Sequence, residues 1–505
     1  MALNLVRNSR VFFTTNVNST TGVINATGAD TTNTTEIQVL DGFTFSQNTN
    51  QDTITISEAG GTPVRGQRAF NTSLAPVDFS MSTYVRPSKP GSVVNAEEAV
   101  LWNALMGVNN IDASGITIAG TTASYAYTFT DIDTDNTATK GTLVITLTGG
   151  SLTGTGTISV GDTIVFSGFT TPTDSIDSLN AAAKIVSYSK TAGGASPVTS
   201  GAVETSGLTA ITLEYANPKN AAITGIAAGT LKAYKSSWAP AGGSSYSLVS
   251  SASSNFNQLQ KFGLIFVVDS VAYAVDNAAL NQATIDFGLD AIATIAWTGQ
   301  ATALRQITTT LSGSTFTGAG FAGTAAAKNT AAQYITNKLS TVTLTSAKAI
   351  GAAAAKSEYG IALTGGSLTI NNNISYITPA NLGVVNSPVV YYTGTRAISG
   401  SLNAYLKTGT GVNGTGKLLM DMLAAASTTI EPMISLSLAI GGKSNTVKVE
   451  LDMPSATISI PTVDVQQVVS TVINFTAQGS SQSATAANST FDLSKSNDIT
   501  VRYYA

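Results

Sequence analysis

Apolar and polar side chains alternate residue by residue along much of this chain, and this period restricts the fold more than any other feature. The clearest runs are Phe43 to Ser57 (FTFSQNTNQDTITIS) and Lys448 to Pro461 (KVELDMPSATISIP). Successive side chains of a strand point to opposite faces of a sheet, so the period predicts half-buried antiparallel strands. Only 11% of the 505 residues are charged, so Thr, Ser, Asn and Gly must cover the surface. Both features predict a mainly β fold.

Two short stretches have a helical period instead, Ala96 to Met106 (AEEAVLWNALM) and Lys417 to Ala426 (KLLMDMLAAA). In each, apolar residues recur at positions i, i+1, i+4 and i+5, which predicts a helix with one apolar face packed on a sheet. The two stripes are Leu101, Trp102, Leu105 and Met106, and Leu418, Leu419, Met422 and Leu423.

Capping residues surround the first of these helices. Asn95 is a good N-cap, Glu98 has the capping-box position and Gly107 can end the helix. Glu97 and Glu98 could be a catalytic carboxylate pair, but acidic residues in a first turn normally stabilise the helix dipole, and that role is expected here.

The same order of elements occurs twice along the chain: a strand pair, a helix, a second strand pair, a separate strand with the sequence A-T-I, and a closing strand. Self-similarity on this scale predicts an internal duplication. The first copy uses the strand candidates Gly42–Ile56, Arg68–Tyr84, Ile265–Phe287 and Ile292–Gly299. The second uses Ser367–Ile377, Arg396–Leu406, Ser435–Ile460 and Val468–Gly479. Val6–Thr15 and Tyr334–Ser346 are candidates for a further matching pair of strands.

The two copies differ by an insertion. The expected division gives a discontinuous first copy, residues 1–107 with 245–311, and an inserted β-rich domain, residues 108–244, of immunoglobulin-like or similar type. A linker with a connecting strand, residues 312–356, leads to the second copy, residues 357–505.

Composition excludes several classes of function. The chain has no Cys and no His, which excludes disulfides, the usual zinc sites, Cys nucleophiles and Ser-His-Asp triads. The net charge is -4 and no basic stripe is visible, which argues against a protein that grips DNA. We therefore expect no enzyme activity, and no catalytic, cofactor-binding or metal-binding residue is assigned.

Two local motifs resemble ligand sites. Gly409 to Leu418 (GTGVNGTGKL) resembles a phosphate-binding loop, but Leu418 stands where such loops have Ser or Thr. Asp131, Asp133 and Asp135 resemble the start of a Ca²⁺ loop, yet neither the Gly nor the Glu of an EF-hand follows at its required position. A flexible Gly-rich helix entry and a solvated acidic turn are the favoured interpretations. Trp102 and Trp297 are expected in the core.

The chain resembles the tail tube proteins of long-tailed bacteriophages and contractile systems. The similar regions are Val447 to Gly479 (VKVELDMPSATISIPTVDVQQVVSTVINFTAQG), the terminal DITVRYYA, and the N-terminal stretches Val6–Phe13 and Val39–Gly60. The resemblance covers residues 1–106 and 245–505. It implies β-sandwich or barrel tube domains, each with a flanking helix, and it resembles the variant that fuses two tube domains in one chain.

This resemblance implies a structural protein of the virion tail. Three chains would form a pseudo-hexameric ring, and stacked rings would form the hollow tube through which phage DNA is ejected. The implied partners are the chain itself, a tape-measure protein, and terminator and baseplate proteins. DNA would pass without specific binding, along a neutral or acidic lining, and the inserted domain could contact the host surface.

The sequence leaves one alternative open, a β-rich adhesive or carbohydrate-binding protein that decorates the virion or another surface. No signal peptide and no membrane-spanning segment is predicted, so assembly in the host cytoplasm is expected.

Overall fold

The structure is a computed structural model. It describes residues 9–57, 65–88, 95–106, 115–131, 139–160, 163–172, 179–180, 182–191, 197–216, 222–234, 239–241, 245–249, 259–269, 271–289, 291–328, 333–346, 358–407, 414–425, 433–442, 447–464, 468–477 and 498–504.

Antiparallel strands make up most of the described chain, so the prediction of a mainly β fold is confirmed. The elements up to residue 249 are β1 (Arg10–Thr14), β2 (Thr34–Ile37), β3 (Thr44–Ser57), β4 (Arg65–Tyr84), β5 (Pro87–Ser88), β6 (Asn95–Ala96), helix α1 (Ala99–Met106), β7 (Ile116–Asp131), β8 (Thr139–Thr153), β9 (Thr163–Thr171), β10 (Ala182–Lys190), β11 (Ser206–Ala216), β12 (Ala227–Tyr234), β13 (Ala239–Ala241) and β14 (Ser245–Val249).

The elements up to residue 377 are β15 (Phe262–Val268), β16 (Val271–Asp286), β17 (Thr294–Ala301), β18 (Ala303–Ile307), β19 (Thr310–Ser312), β20 (Thr315–Thr317), β21 (Gly323–Thr324), a 3-10 helix (Asn337–Leu339), β22 (Thr341–Ser346), β23 (Glu358–Ile361), β24 (Leu363–Asn371) and β25 (Ile374–Ile377). The remaining elements are β26 (Val390–Thr393), β27 (Ala397–Tyr405), helix α2 (Thr415–Ala425), β28 (Met433–Ile440), β29 (Lys448–Ile458), β30 (Thr462–Asp464), β31 (Ser470–Ala477) and β32 (Thr500–Tyr504).

Two series of strands pair in the same order. The first series runs β2-β1-β15-β16-β17-β4-β3, with β18 also on β16. The second runs β23-β22-β28-β29-β31-β27-β24, with β32 also on β29. All of these pairings are antiparallel, and each series has its helix after its fourth strand.

The match between the series extends to the residue register. Residues 77–84 of β4 pair with residues 301–294 of β17, and residues 398–405 of β27 pair with residues 477–470 of β31, so each ladder has eight residue pairs. Phe79 opposes Gly299 in the first ladder, and Gly400 opposes Phe475 at the same place in the second. The aromatic ring and the glycine have exchanged strands, which preserves the cross-strand contact.

This exchange makes Gly400 sensitive to substitution. A Cβ atom there would lie 2.3 Å from the Ser367 carbonyl oxygen and 2.5 Å from Cζ of Phe475. Gly400→Ala should therefore destabilise the chain by about 2–3 kcal/mol, as measured by thermal or urea unfolding. The matched control is Gly360→Ala in β23, where nothing lies within 4 Å of the added atom. Equal stabilities of the two variants would contradict the close approach.

A closed six-stranded barrel lies within the predicted insertion, with the strand order β10-β11-β8-β7-β12-β9. Its apolar side chains form a core cluster of their own, which includes Phe166, Ile185 and Leu213. A separate core cluster spans both strand series and contains Trp102 and Trp297, whose rings meet edge to face at 5.1 Å. Both tryptophans are fully buried, as expected from the sequence.

Several local expectations need correction. Helix α1 begins at Ala99 rather than at Ala96, because Asn95 and Ala96 form strand β6 against Pro87 and Ser88. Asn95 is therefore not the N-cap. The carbonyl of Glu98 accepts the first helical hydrogen bonds, from the N–H groups of Leu101 and Trp102.

The A-T-I sequences are not separate strands. They continue β16 and β29, the second strands of their hairpins. Their registers against the closing strands also differ. Thr284-Ile285-Asp286 pairs with the start of β17 as Thr462-Val463-Asp464 pairs with the start of β31. Position by position, these two T-[I/V]-D segments are the counterparts.

The predicted strand Ser367–Ile377 is interrupted. Asn373 has a positive φ of 49°, a left-handed conformation that Asn tolerates better than most residues. The chain turns there, so that the hairpin β25–β26 folds away from β24 and β27. No helix among the described residues is long and apolar enough to cross a membrane.

Candidate assembly surface

The two strand series meet along one seam. Residues 282–286 of β16 pair antiparallel with residues 371–367 of β24. The hydroxyl oxygens of Thr284 and Thr369 lie 3.2 Å apart across it, and the Phe287 N–H donates to the Gly366 carbonyl. Strand β16 of the first series thus has β24 of the second series as its neighbour in the sheet.

A buried asparagine ties helix α1 to the same seam. Asn372, which is 4% exposed, directly follows β24. Its Nδ2 donates to the carbonyl oxygens of Leu105, at 2.8 Å, and Leu280. The Leu105 carbonyl lies in the last turn of α1, where helix carbonyls lack partners within the helix. The second series therefore supplies the C-terminal cap of the first helix.

The C-terminal strand covers the other end of the same helix. Tyr503 of β32 accepts a hydrogen bond from Nε1 of Trp102 at 2.8 Å and donates one to a carboxylate oxygen of Glu98. All three side chains are fully buried. Burial raises the pKa of Glu98 to about 8, although hydrogen bonds to its carboxylate act against this rise. Glu98 is thus a buried polar anchor that precedes the helix, and not the first-turn acid predicted from the sequence.

The corresponding surface of the second series is exposed. In the apolar stripe of α2, Leu418 and Met422 are buried, but Leu423 is 56% exposed whereas Met106, its counterpart in α1, is fully buried. Val463 of β30 is 42% exposed, while its counterpart Ile285 is 1% exposed. The first series is covered by the second, and within the described residues nothing covers the second in the same way.

The complementary edge lies at the other side of the first series. Strand β3 pairs only with β4 among the described strands, whereas its counterpart β24 pairs with both β27 and β16. Exposed edges of this kind are templates for pairing with another chain. One chain therefore presents an open β3 edge and, at the other side of the paired strands, an uncovered β30 edge.

One face of the ladder strands is polar. In the paired stretches of β3, β4, β16, β17, β24, β27 and β31, alternate residues point away from the core, and 18 of these 24 are Ser, Thr, Asn or Gln. They are Thr44, Ser46, Asp78, Ser80, Ser82, Tyr84, Gln282, Thr284, Asp286, Thr294, Ala296, Thr298, Gln300, Ser367, Thr369, Asn371, Ser399, Ser401, Asn403, Tyr405, Ser470, Val472, Asn474 and Thr476. The charged members, Asp78 and Asp286, are acidic.

The motifs that resembled ligand sites gain no support. Residues 409–413, the first half of the Gly409–Leu418 motif, lie outside the described residues, and Lys417 pairs with Asp421 of the same helix. Thr415 at the helix start donates to the Tyr405 carbonyl and accepts from the Lys407 N–H, both at 2.7 Å. Asp133 and Asp135 also lie outside the described residues. In the described part of the chain, no group of three acidic, His or Cys residues could hold a metal ion.

No protein-family model matches the chain. A relative among characterised proteins is "Tail tube protein pb6" of Escherichia phage T5. It is 22% identical over 481 residues, an alignment that covers 94% of this chain and 73% of the relative. The similarity thus extends through both strand series and the barrel inserted in the first. This similarity over nearly the whole chain makes it a homologue of a phage tail tube protein.

Proposed function

We propose that this chain is the subunit of a phage tail tube, with two tube domains in tandem, and that three chains close into a ring of six domains. The observation that carries the proposal is the seam between β16 and β24. The same contact, repeated between chains, would use the open β30 edge of one chain and the open β3 edge of the next. Such a head-to-tail contact generates a ring when its rotation closes.

The proposal gives the domains physical boundaries. The first tube domain would contain β1–β4, α1 and β15–β18, and the barrel would be an insertion between α1 and β15. The second would contain β22–β32 and α2. Because β22 is the counterpart of β1, the second domain would begin near Thr341 rather than at residue 357, and the linker would be correspondingly shorter.

The polar face of the ladder strands fits the lumen of such a tube. Closing six tube domains would join the ladders into one continuous barrel wall. Lys and Arg would retain DNA by releasing its counterions, and none occurs among the ladder residues of this face. A lining of hydroxyl and amide groups with a few acidic residues would let DNA slide. The inserted barrels would then project outward, away from the lumen.

If the contact between chains repeats the seam within the chain, the register of the seam predicts which residues meet. Within the chain, Asp286 opposes Ser367. By the ladder registers, Asp464 is the counterpart of Asp286 and Thr44 that of Ser367. We therefore expect Asp464 of one chain to oppose Thr44 of the next, at a distance that a disulfide can span.

The chain has no cysteine, so a cysteine pair tests this contact directly. Thr44→Cys with Asp464→Cys, oxidised after assembly, should give covalent dimers and trimers on a denaturing gel, ending at three times the chain mass of 51.5 kDa. Asp286→Cys with Ser367→Cys is the positive control and should close within one chain. Covalent hexamers would contradict the tandem arrangement, and monomers alone, especially monomers that bind glycans, would favour the adhesive alternative.

A further inference from the structure

Exposed apolar side chains concentrate at one end of the ladder strands. The hairpin β25–β26 and its connecting loop carry six exposed aliphatic side chains and the exposed ring of Tyr392. The six aliphatic residues are Ile377, Leu382, Val384, Val385, Val389 and Val390, here called the loop-end patch. Their exposed fractions range from 44% to 103%. A contiguous apolar surface of this kind is uncommon on a monomer and marks an interface.

The loop-end patch has a fixed position. The Tyr376 hydroxyl donates to the carbonyls of Asn277 and Gln300, and the Tyr391 hydroxyl donates to that of Leu259, which hold the hairpin across the first series. The backbone of Asn386 exchanges hydrogen bonds with Thr72 and Leu74 of β4. The apolar side chains therefore lie on an anchored loop rather than on a free one.

A second apolar group lies at the opposite end of the same strands. Its members surround the start of β17, the end of β27 and the turn before β31: Leu289, Ile292, Tyr334, Leu339, Tyr405 and Val468, here called the opposite-end patch. The 3-10 helix is held there by the Asn337 N–H, which donates to the Ala291 carbonyl. Ser73 and Tyr84 of β4 mark the two ends, which are separated by about 36 Å at the rise of a strand.

The ring contact runs along the strand edges, whereas both patches lie at the strand ends, so that contact leaves most of both patches uncovered. Resting on the proposed function, we propose that the loop-end patch of one ring packs on the opposite-end patch of a second copy in the next ring. One heterologous contact then covers both patches, and because it does not close it produces a filament.

The second series alone bears the loop-end patch. In the first series, the counterpart of β25–β26 is the straight continuation of the hairpin β3–β4, whose residues 48–54 are all exposed. Around a ring of three chains, three apolar loops would therefore alternate with three projecting hairpins. Successive rings would have to match at intervals of 120° rather than 60°.

Two charge variants test the contact. Leu382→Lys with Val385→Lys alters only the loop-end patch, and Leu339→Lys with Val468→Lys alters only the opposite-end patch. Each should form rings of normal mass but no tubes, as seen by sedimentation velocity and negative-stain microscopy. The matched control is Thr153→Lys with Thr155→Lys on the exposed surface of the barrel region, which should form tubes like the unaltered chain.

Mixing the two variants gives the sharpest result. Each retains one intact end, so the mixture should yield ring pairs that grow no further. Tubes from either variant alone, or ring pairs from one variant alone, would overturn the head-to-tail contact. Failure of the unaltered chain to form rings would instead contradict the proposed function, so the two failures are distinguishable.

Discussion

Leu423→Glu is expected to leave the isolated chain folded and to prevent it from closing into rings. Leu423 is 56% exposed on α2, so a carboxylate there stays hydrated in the monomer, and surface substitutions of this kind change the free energy of unfolding by about 0.5 kcal/mol or less. In the ring, the same side chain would be covered by the next chain, which would cap α2 there as Asn372 of the second series caps α1 at Leu105, one residue before Met106.

The expected effect on assembly is large. Burying an unpaired carboxylate costs at least about 3 kcal/mol, and each 1.4 kcal/mol corresponds to about tenfold in affinity. Ring formation should therefore weaken at least about 100-fold, as measured by sedimentation equilibrium over a range of protein concentrations.

The counterpart position provides the contrast. Met106→Glu places the same carboxylate at a fully buried site of the first series, so it should destabilise the folded chain itself by about 4 kcal/mol or more. A Leu423→Glu chain that forms rings at the normal concentration would show that the exposed half of α2 is not covered in the assembly.

The sequence predicted helices and strands correctly because side-chain direction repeats with a different period in each. Alternation identified β3, β4, β27 and β31, and the i, i+1, i+4, i+5 stripe identified both helices. The stripe also predicted that Leu418 and Met422 are buried. It could not predict that Leu423 is exposed, because a helical period shows which face is apolar but not whether the chain itself supplies the cover.

The repeated order of elements was predicted from the sequence, but in part with the wrong register. The two A-T-I sequences match by composition, but the structural counterpart of Thr284-Ile285-Asp286 is Thr462-Val463-Asp464. A bulge and Pro461 shift the register of the second segment against β31 without changing the local composition. The exchange of Phe79 and Gly299 for Gly400 and Phe475 hides the match in the same way. A comparison of cross-strand pairs, rather than of single positions, would reveal it.

The polar anchor of α1 was missed for a different reason. Glu98 and Tyr503 are 405 residues apart, and a Glu in a predicted first helical turn is normally solvated. The local pattern contains no information on a distant strand that covers it. The second series contains the one hint that this position is a polar anchor. Thr415 has the position of Glu98 relative to the apolar stripe, and its hydroxyl forms hydrogen bonds with the nearby backbone of Tyr405 and Lys407.

This anchor should make the stability of the chain depend on pH. Burial raises the pKa of Glu98 to about 8, above the value of about 4.3 expected in the unfolded chain. Between these values the folded state binds more protons than the unfolded state, so the contribution of Glu98 is fully present below about pH 4 and is lost as the pH rises through 8. The slope for one such group approaches 1.4 kcal/mol per pH unit.

Glu98→Gln should remove this dependence, because the amide keeps an oxygen that accepts from Tyr503 but cannot ionise. Relative to the unaltered chain, the melting temperature of the variant should fall less between pH 5 and pH 8 and should be higher at pH 8, as measured by scanning calorimetry. Tyr503→Phe is the control: it removes the hydroxyl and lowers stability but leaves the carboxyl buried, so the pH dependence should persist. An unchanged pH profile in Glu98→Gln would show that Glu98 is ionised in the folded chain, with a cation compensating its charge.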